Sequence, residues 1–522
     1  MSTPVHHYNL AHFLDETLLN HASRPALRYA DGDYSFRELG TWVDSLAALL
    51  LSKGLKRGDV IAIGHDKHAL SYALMLAAIR LGVAYVNIDI ASPRSRTERI
   101  LHVSAPSLLF YDNSTYQSDM TELASSQGCE PLLLEFSLLP KATEIDRERQ
   151  RQCSYLIDGS TIAYIMFTSG STGVPKGVAV THQNILHFIA WGRDRFEITD
   201  KDNFANLSPM YFDNSVFDFY VGLLNGASLT PIHRSLLTKP YELVAYVSKQ
   251  VCTVWFSVPS ALMYLMAMKA ISPKVLTDLR VILFGGEGYP KIELKKLYDR
   301  FSSQASLVNV YGPTECTCIC SGHTLSKSDF KDLEGLPTLG QLNPNFDYRI
   351  LDENDSDAAE GELCLIGPNV AAGYFNDLER TTAAFHYITA PNRFMKRMYR
   401  TGDLVKEING QLHFVGRKDN QIKHMGYRIE LEEIEHALAR LPKVDQAAVI
   451  YQRHQAAYGK LIAYVACSTH VEEQVLLEAL AELVPDYMVP SKLIVVPNLP
   501  KNANGKVDRQ QLQTLIDTTV TK

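Results

Sequence analysis

Residues 168–177 read TSGSTGVPKG and hold two threonines, two serines, three glycines and one lysine. Such a stretch suits an anion. Glycines let backbone N–H groups close in, hydroxyls donate further hydrogen bonds, and the lysine brings charge. On these ten residues alone a bare polar turn remains the other reading. Two better-known chemistries fail. A nucleophile elbow needs glycine two positions before and two after the serine, and Ser171 has Ser169 and Gly173 there. The triphosphate cradle G-x-x-x-x-G-K-[ST] needs lysine directly after glycine, whereas Lys176 follows Pro175. A second cluster, CTCIC, puts Cys316, Cys318 and Cys320 at alternate positions. On a strand they would share one face, as a thiolate metal site requires. No second cysteine pair or His-x-x-x-His spacing accompanies them, so they read as small buried hydrophobes.

The elements that must position the loop follow an α/β rhythm. AYIMF (163–167) reads as the strand entering it. DVIAIGH (59–65), ALSYALMLAAIRLG (69–82) and AYVNIDI (84–90) form a β-α-β unit of a mostly parallel sheet. VCTVWFSV (251–258), VILFGGEG (281–288) and ASLVNVYG (305–312) repeat the pattern, and 340–416 is richer in short strands and turns. After Arg417 the character changes. Leu431, Ile434, Leu438 and Leu441 mark a helix, followed by strand, strand, helix and strand signals. We expect two domains, 1–417 and a small α+β domain at 418–522.

The 522 residues suffice for roughly two to four domains. Net charge is −7 and no basic run occurs, which argues against a nucleic-acid partner. The eight scattered cysteines suggest no disulfide framework, and no run approaches the ~18 apolar residues of a membrane helix. The N-terminal MSTPVHHYNLAHFL has no basic region followed by a long apolar stretch. A soluble, cytoplasmic, monomeric protein without a membrane partner is expected.

Further along, TSGSTGVPKG is joined by YGPTE (311–315), YRTGDL (399–404), GRKDNQIKHMGYRIELEEIE (416–435) and NANGKVDR (502–509), with YSFREL (34–39) and LGVAYVNID (81–89) upstream. In this order the motifs resemble those of the adenylate-forming superfamily: adenylation domains of nonribosomal peptide synthetases, acyl-CoA synthetases and luciferases. The resemblance spans nearly the whole chain. It implies a large N-terminal domain of two doubly wound, mostly parallel sheets with a small β-barrel-like subdomain, and a mobile C-terminal domain. Asn87 stands where relatives often have proline, and AAGYF (371–375) lacks an arginine often found before its glycine.

The implied reaction has two halves. A carboxylate attacks the α-phosphorus of ATP, giving an acyl-adenylate and pyrophosphate; a thiol then displaces AMP. By resemblance, Thr168, Ser169, Gly170, Ser171, Thr172, Gly173 and Lys176 hold the β- and γ-phosphates. Glu315, beside Thr314, is the ligand of an implied Mg2+. Gly286, Glu287, Asn309, Val310, Tyr311 and Gly312 form the adenine side, and Asp403 with Arg417 takes the ribose. Lys506 is the implied catalytic lysine, touching both substrate carboxylate and ATP. Asp419, Lys423 and Gly426 belong to the hinge and the thiolating loop. Asp213 sits where amino-acid-activating relatives pair a carboxylate with the substrate ammonium. Asn214, Phe217, Ala261, Leu283, Gly285, Val310, Cys318 and Ile319 would line the side-chain pocket. These residues are mostly apolar, which disfavours Asp, Glu, Lys or Arg as substrate. With Lys506 close to the chain end and no carrier or condensation motif, a free-standing enzyme loading a separate phosphopantetheinylated carrier protein is expected. The alternatives are a D-alanine–carrier-protein ligase, an acyl-CoA or aryl-acid ligase and, from another class, a catalytically dead binding module. Intact Lys506, Asp403 and Glu315 speak against the last.

Overall fold

In the computed structural model the described residues are 8–388, 396–455, 458–467, 469, 471–501, 507–509 and 511–514. Two large sheets organise the first part. One has seven strands in the order Gly373–Tyr374, Lys176–Thr181, Ile162–Thr168, Ala84–Ile88, Val60–Gly64, Leu108–Tyr111 and Glu130–Leu133. The other has eight, and Asn203–Asn206, Val254–Ser257, Val281–Gly285 and Ser306–Tyr311 form its parallel centre. The largest core cluster draws on both sheets and on helix Ala69–Leu81, every residue of which is buried. A helix apolar all round belongs in an interior, and Tyr72 ties it to the second sheet by donating to Asn206 Oδ1 at 2.8 Å.

The β-rich segment is a five-stranded antiparallel sheet of Asp347–Leu351, Glu360–Ile366, Phe385–Ile388, Lys396–Ile408 and Gln411–Arg417. Its register sets Asp403 opposite Arg417. Beyond it, Gln421–His424 and Tyr427–Glu430 form a hairpin. Its two-residue turn, Met425 and Gly426, has φ of 53° and 82°, the doubly left-handed turn that matches strand twist. Helix Leu431–Leu438 follows. A three-stranded sheet of Val444–Gln455, Tyr458–Cys467 and Lys492–Val496 shares a separate core with it and with helix Glu473–Ala481.

Two local features bear on the site. Asn214–Val216 starts a short helix that widens into a π-helical turn, Phe217–Gly222. The strand reading of CTCIC is corrected: Thr314–Cys316 is a 3-10 turn, and Thr317 and Cys318 both have left-handed φ, at 61° and 72°. The three cysteines are buried, and among the described residues no group of three or more His, Cys, Asp or Glu is placed to hold a metal.

Candidate active site

The loop 169–175 joins two antiparallel strands, with Thr168 opposite Lys176. This accounts for its departure from the triphosphate cradle, which leads from strand to helix. The glycines are forced by space. A Cβ on Gly170 would lie 2.1 Å from Val174 O, and Gly173 has φ of 75°. Thr168 Oγ1 is buried without a hydrogen-bond partner among the described residues. Ser169 Oγ donates to the Arg428 carbonyl at 2.7 Å. Lys176 Nζ lies 3.3 Å from Glu430 Oε1 and 5.6 Å over the Tyr374 ring. Ser171 and Thr172 are exposed, and Thr172 Oγ1 accepts from Arg380.

Glu315 is fully buried. Tyr374 OH donates to its Oε1 at 2.8 Å, and Arg428 Nη1 to its Oε2 at 2.7 Å. Burial penalises its charge, yet the Arg428 guanidinium and Lys176 ammonium outweigh that penalty and hold the carboxyl at about 2. Burial, then the Arg428 charge, pulls the Lys176 ammonium below its ordinary value.

Asp403 is framed on both oxygens: Tyr311 OH donates to Oδ2 at 2.6 Å and Arg417 Nη1 to Oδ1 at 2.8 Å. Arg417 also forks onto Asp419 and, despite burial, pulls that carboxyl below its usual range. Lys423 Nζ stands 5.7 Å over the Tyr311 ring. Asp213 lines the same cleft as Tyr311 and Asp403. Its Oδ2 accepts from Thr314 Oγ1 at 2.6 Å, it makes no cap to the helix that follows, and no ion pair reaches it among the described residues. Burial pushes its carboxyl up.

Thr168, Ser169, Asp213, Tyr311, Thr314, Asp403, Arg417, Lys423 and Arg428 line a cleft of about 80 Å³ together with Asn214, Phe256, Gly286, Val310, Gly312, Cys318 and Ile319, and Glu315 and Lys176 reach it through Arg428 and the loop. A second cavity of about 430 Å³, with walls from Leu207, Leu243, Val258, Ala261, Tyr264 and Met425, meets it at Phe212, Asp213, Asn214 and Gly426. Gly426 N donates to Glu287 Oε2 at 2.9 Å, and Ser260 N to Glu287 Oε1 at 2.6 Å.

Several expected site residues stand elsewhere. Ala261 lines the second cavity. Phe217 is packed among Phe188, Phe196, Phe204 and Phe256. Leu283 and Gly285 lie inside their strand and line neither cavity. Asn309 turns its amide to Thr338 O at 2.8 Å, and Glu287 braces Gly426 and Ser260. Lys506 lies outside the described residues. Sequence reasoning gave no role to Arg428, Glu430, Phe256 or Tyr374. Arg428 and Glu430 lie inside a quoted motif, at i and i+2 of a strand, which is the one signal that both face the same way. Asn87 holds the loop before Asp213 through a bond from Nδ2 to Met210 O at 3.0 Å.

The chain belongs to the AMP-binding enzyme family: residues 14–375 match that family and 433–506 match its C-terminal domain. It is 31% identical over 497 residues to the D-alanine–D-alanyl carrier protein ligase of Bacillus cereus strain AH187, covering 93% of this chain and 95% of that one. Among solved structures it resembles holo-PA1221, a protein containing adenylation and PCP domains, at 25% identity and TM-score 0.80, over 97% of this chain and 84% of that one. The Vibrio cholerae adenylation domain AlmE shares the fold at 23% identity and TM-score 0.82, with 99% of each chain covered.

Proposed function

We propose that this enzyme activates an amino acid and loads it onto the phosphopantetheine thiol of a separate carrier protein. The substrate carboxylate attacks the α-phosphorus of ATP, the bond to the bridging oxygen breaks, and pyrophosphate leaves. The thiol sulfur then attacks the acyl carbon and AMP leaves. The observation that carries the amino-acid reading is Asp213: a half-buried carboxylate lining the cleft, with no ion-pair partner among the described residues and, of cations, only the more distant charges of Arg428 and Lys423 acting on it. A substrate ammonium supplies that partner. The apolar neighbours Phe256, Val310, Cys318 and Ile319 suit a small or medium neutral side chain. The mostly apolar second cavity, reaching the cleft beside Asp213, suits a pantetheine arm.

In this reading Asp403, positioned by Tyr311 and Arg417, takes the ribose hydroxyls, and Thr168, Ser169 and Lys176 take the phosphates. Glu315 fits Mg2+: it is a deprotonated, fully buried carboxylate facing the phosphate loop, and one carboxylate is the usual protein share when phosphates and waters supply the rest. Bound there, the ion neutralises polyphosphate charge. The domain 418–522 rotates on Asp419, presenting Lys506 for adenylation and the Gly426 hairpin for transfer. The reaction is that of an AMP-forming carrier protein ligase. D-alanine is the narrower reading of the substrate, favoured by the 31% identity to D-alanine–D-alanyl carrier protein ligases.

ATP–pyrophosphate exchange with each proteinogenic amino acid and D-alanine tests the reading. Amine-dependent exchange is expected, and exchange only with acids lacking an amine would overturn it. Lys506→Ala is expected to abolish adenylate formation while amino-acid binding persists.

A further inference from the structure

Lys67 follows strand Val60–Gly64 of the seven-stranded sheet, yet its side chain crosses to the other sheet. Its Nζ donates to two main-chain carbonyls, Asn206 O at 2.6 Å and Leu207 O at 2.9 Å. The residue is buried. Its backbone is set for this reach: φ is 67°, the left-handed region that a residue other than glycine takes at a cost. The turn is fastened around it. Asp66 N and His68 N donate to Asp112, and Tyr29 OH donates to Lys67 O at 2.8 Å.

The two carbonyls stand where strand Asn203–Asn206 ends and the loop 207–213 begins. Leu207, Ser208 and Pro209 of that loop line the second cavity, and Asp213 lines the cleft. Asn87, in the neighbouring strand Ala84–Ile88, holds the middle of the loop at Met210 O. Asn206 Nδ2 donates to Asp218 Oδ2 at 3.1 Å and so ties the start of the segment to the turn that follows Asp213. One sheet thus grips a loop of the other by its main-chain oxygens, and Lys67 supplies the charged grip. Burial pulls the Lys67 ammonium down to about 7, against the charges of Asp218 and Asp66. A buried charge is a poor means of adding stability, and this one is spent at the root of the Asp213 loop.

Resting on the amino-acid reading above, we propose that Lys67 is a positioning residue for the amino acid. Its ammonium takes the place that a monovalent cation such as potassium takes among main-chain carbonyls, and it fixes the strand end from which the Asp213 loop departs. The ion is tethered to the chain, so the site needs none from solution.

ATP–pyrophosphate exchange on the full chain tests this, run with the amino acid that gives the fastest exchange in the panel above. Lys67→Ala should raise the KM for that amino acid by about tenfold, the size of one hydrogen bond to a charged group, with the KM for ATP nearly unchanged. n-Propylammonium, which replaces the atoms removed, should bring the KM back toward that of wild type, and n-propanol should not. An unmoved KM for the amino acid, equal rises in both KM values, or an amine that rescues no better than the alcohol would overturn the proposal. If Lys67→Ala does not fold, hydrogen–deuterium exchange on the wild type decides. Coupling between two sites is reciprocal, so saturating amino acid should slow the amides of 65–68 together with those of 205–213; no response at 65–68 would overturn the proposal. A wild type that exchanges pyrophosphate with no amino acid of the panel would overturn the amino-acid reading and this proposal with it.

Discussion

Gly426 donates its backbone N–H to Glu287 Oε2 at 2.9 Å, and Ser260, in the wall of the second cavity, donates its own N–H to the other oxygen of the same carboxylate. One side chain thereby fixes the hairpin turn against the cavity that leads to Asp213. The turn tolerates no side chain at this point: φ is 82° and a Cβ would stand 2.4 Å from Val258 Cγ1.

Gly426→Ala should therefore separate the two half-reactions. A left-handed alanine costs about 1–2 kcal/mol before the Val258 contact is counted, so thioester formation should slow by at least about tenfold. Amino-acid-dependent ATP–pyrophosphate exchange should be kept or rise. Carrier loading followed by mass spectrometry, alongside the exchange assay, reads both; equal losses in the two would rule out a docking role for the turn.

Asp213→Asn should trade function for stability. Losing the partner of a desolvated ammonium costs on the order of 2–5 kcal/mol, so the KM for the amino acid should rise by about a hundredfold or more, with the KM for ATP nearly constant. Because burial disfavours the carboxylate in the free enzyme, the variant should melt at a higher temperature. A lower Tm with unchanged KM would make Asp213 a structural residue.

Acid should weaken the fold through His182. Its ring is fully buried, and Nδ1 accepts from Leu10 N at 3.0 Å, anchoring helix Leu10–Asn20. Burial lowers its pKa from 6.5 to about 3. Between these values the unfolded chain takes a proton that the folded chain refuses. The contribution is complete above pH 6.5 and falls by up to about 1.4 kcal/mol per unit as pH drops toward 3. Thermal melts from pH 7 to 4.5 should show a steeper decline for wild type than for His182→Gln; parallel declines would place the acid sensitivity elsewhere.

The sequence was most legible where chemistry is local. TSGSTGVPKG reads as suited to an anion because its glycines, hydroxyls and lysine lie within one loop, and the rhythm of Val60–Gly64, Ala69–Leu81 and Ala84–Ile88 follows from burial patterns of a few residues. Tyr311, Asp403 and Arg417 converge as their motifs imply. What stayed hidden depends on contacts between distant segments. Arg428 meets Glu315 from 113 positions away and Glu430 meets Lys176 from 254, so no periodicity reports them. For CTCIC the reading as small buried hydrophobes holds, although the backbone is not the extended one that alternate spacing presumes, Thr317 and Cys318 being left-handed. Phe217, expected in the side-chain pocket, begins a π-helical turn and packs in an aromatic cluster that includes the cleft residue Phe256.

That π-helical turn, Phe217–Gly222, fixes a length. It holds one residue more per turn than an α-helix needs. Deleting a single residue there would let the turn close to ordinary pitch while the segments before and after it keep nearly the same relative rotation, because the wide turn absorbs the extra residue. Inserting one into the ordinary pitch that follows would instead swing Asp213 by about 100° relative to everything after, so the length of 217–222 is freer to shrink by one than to grow.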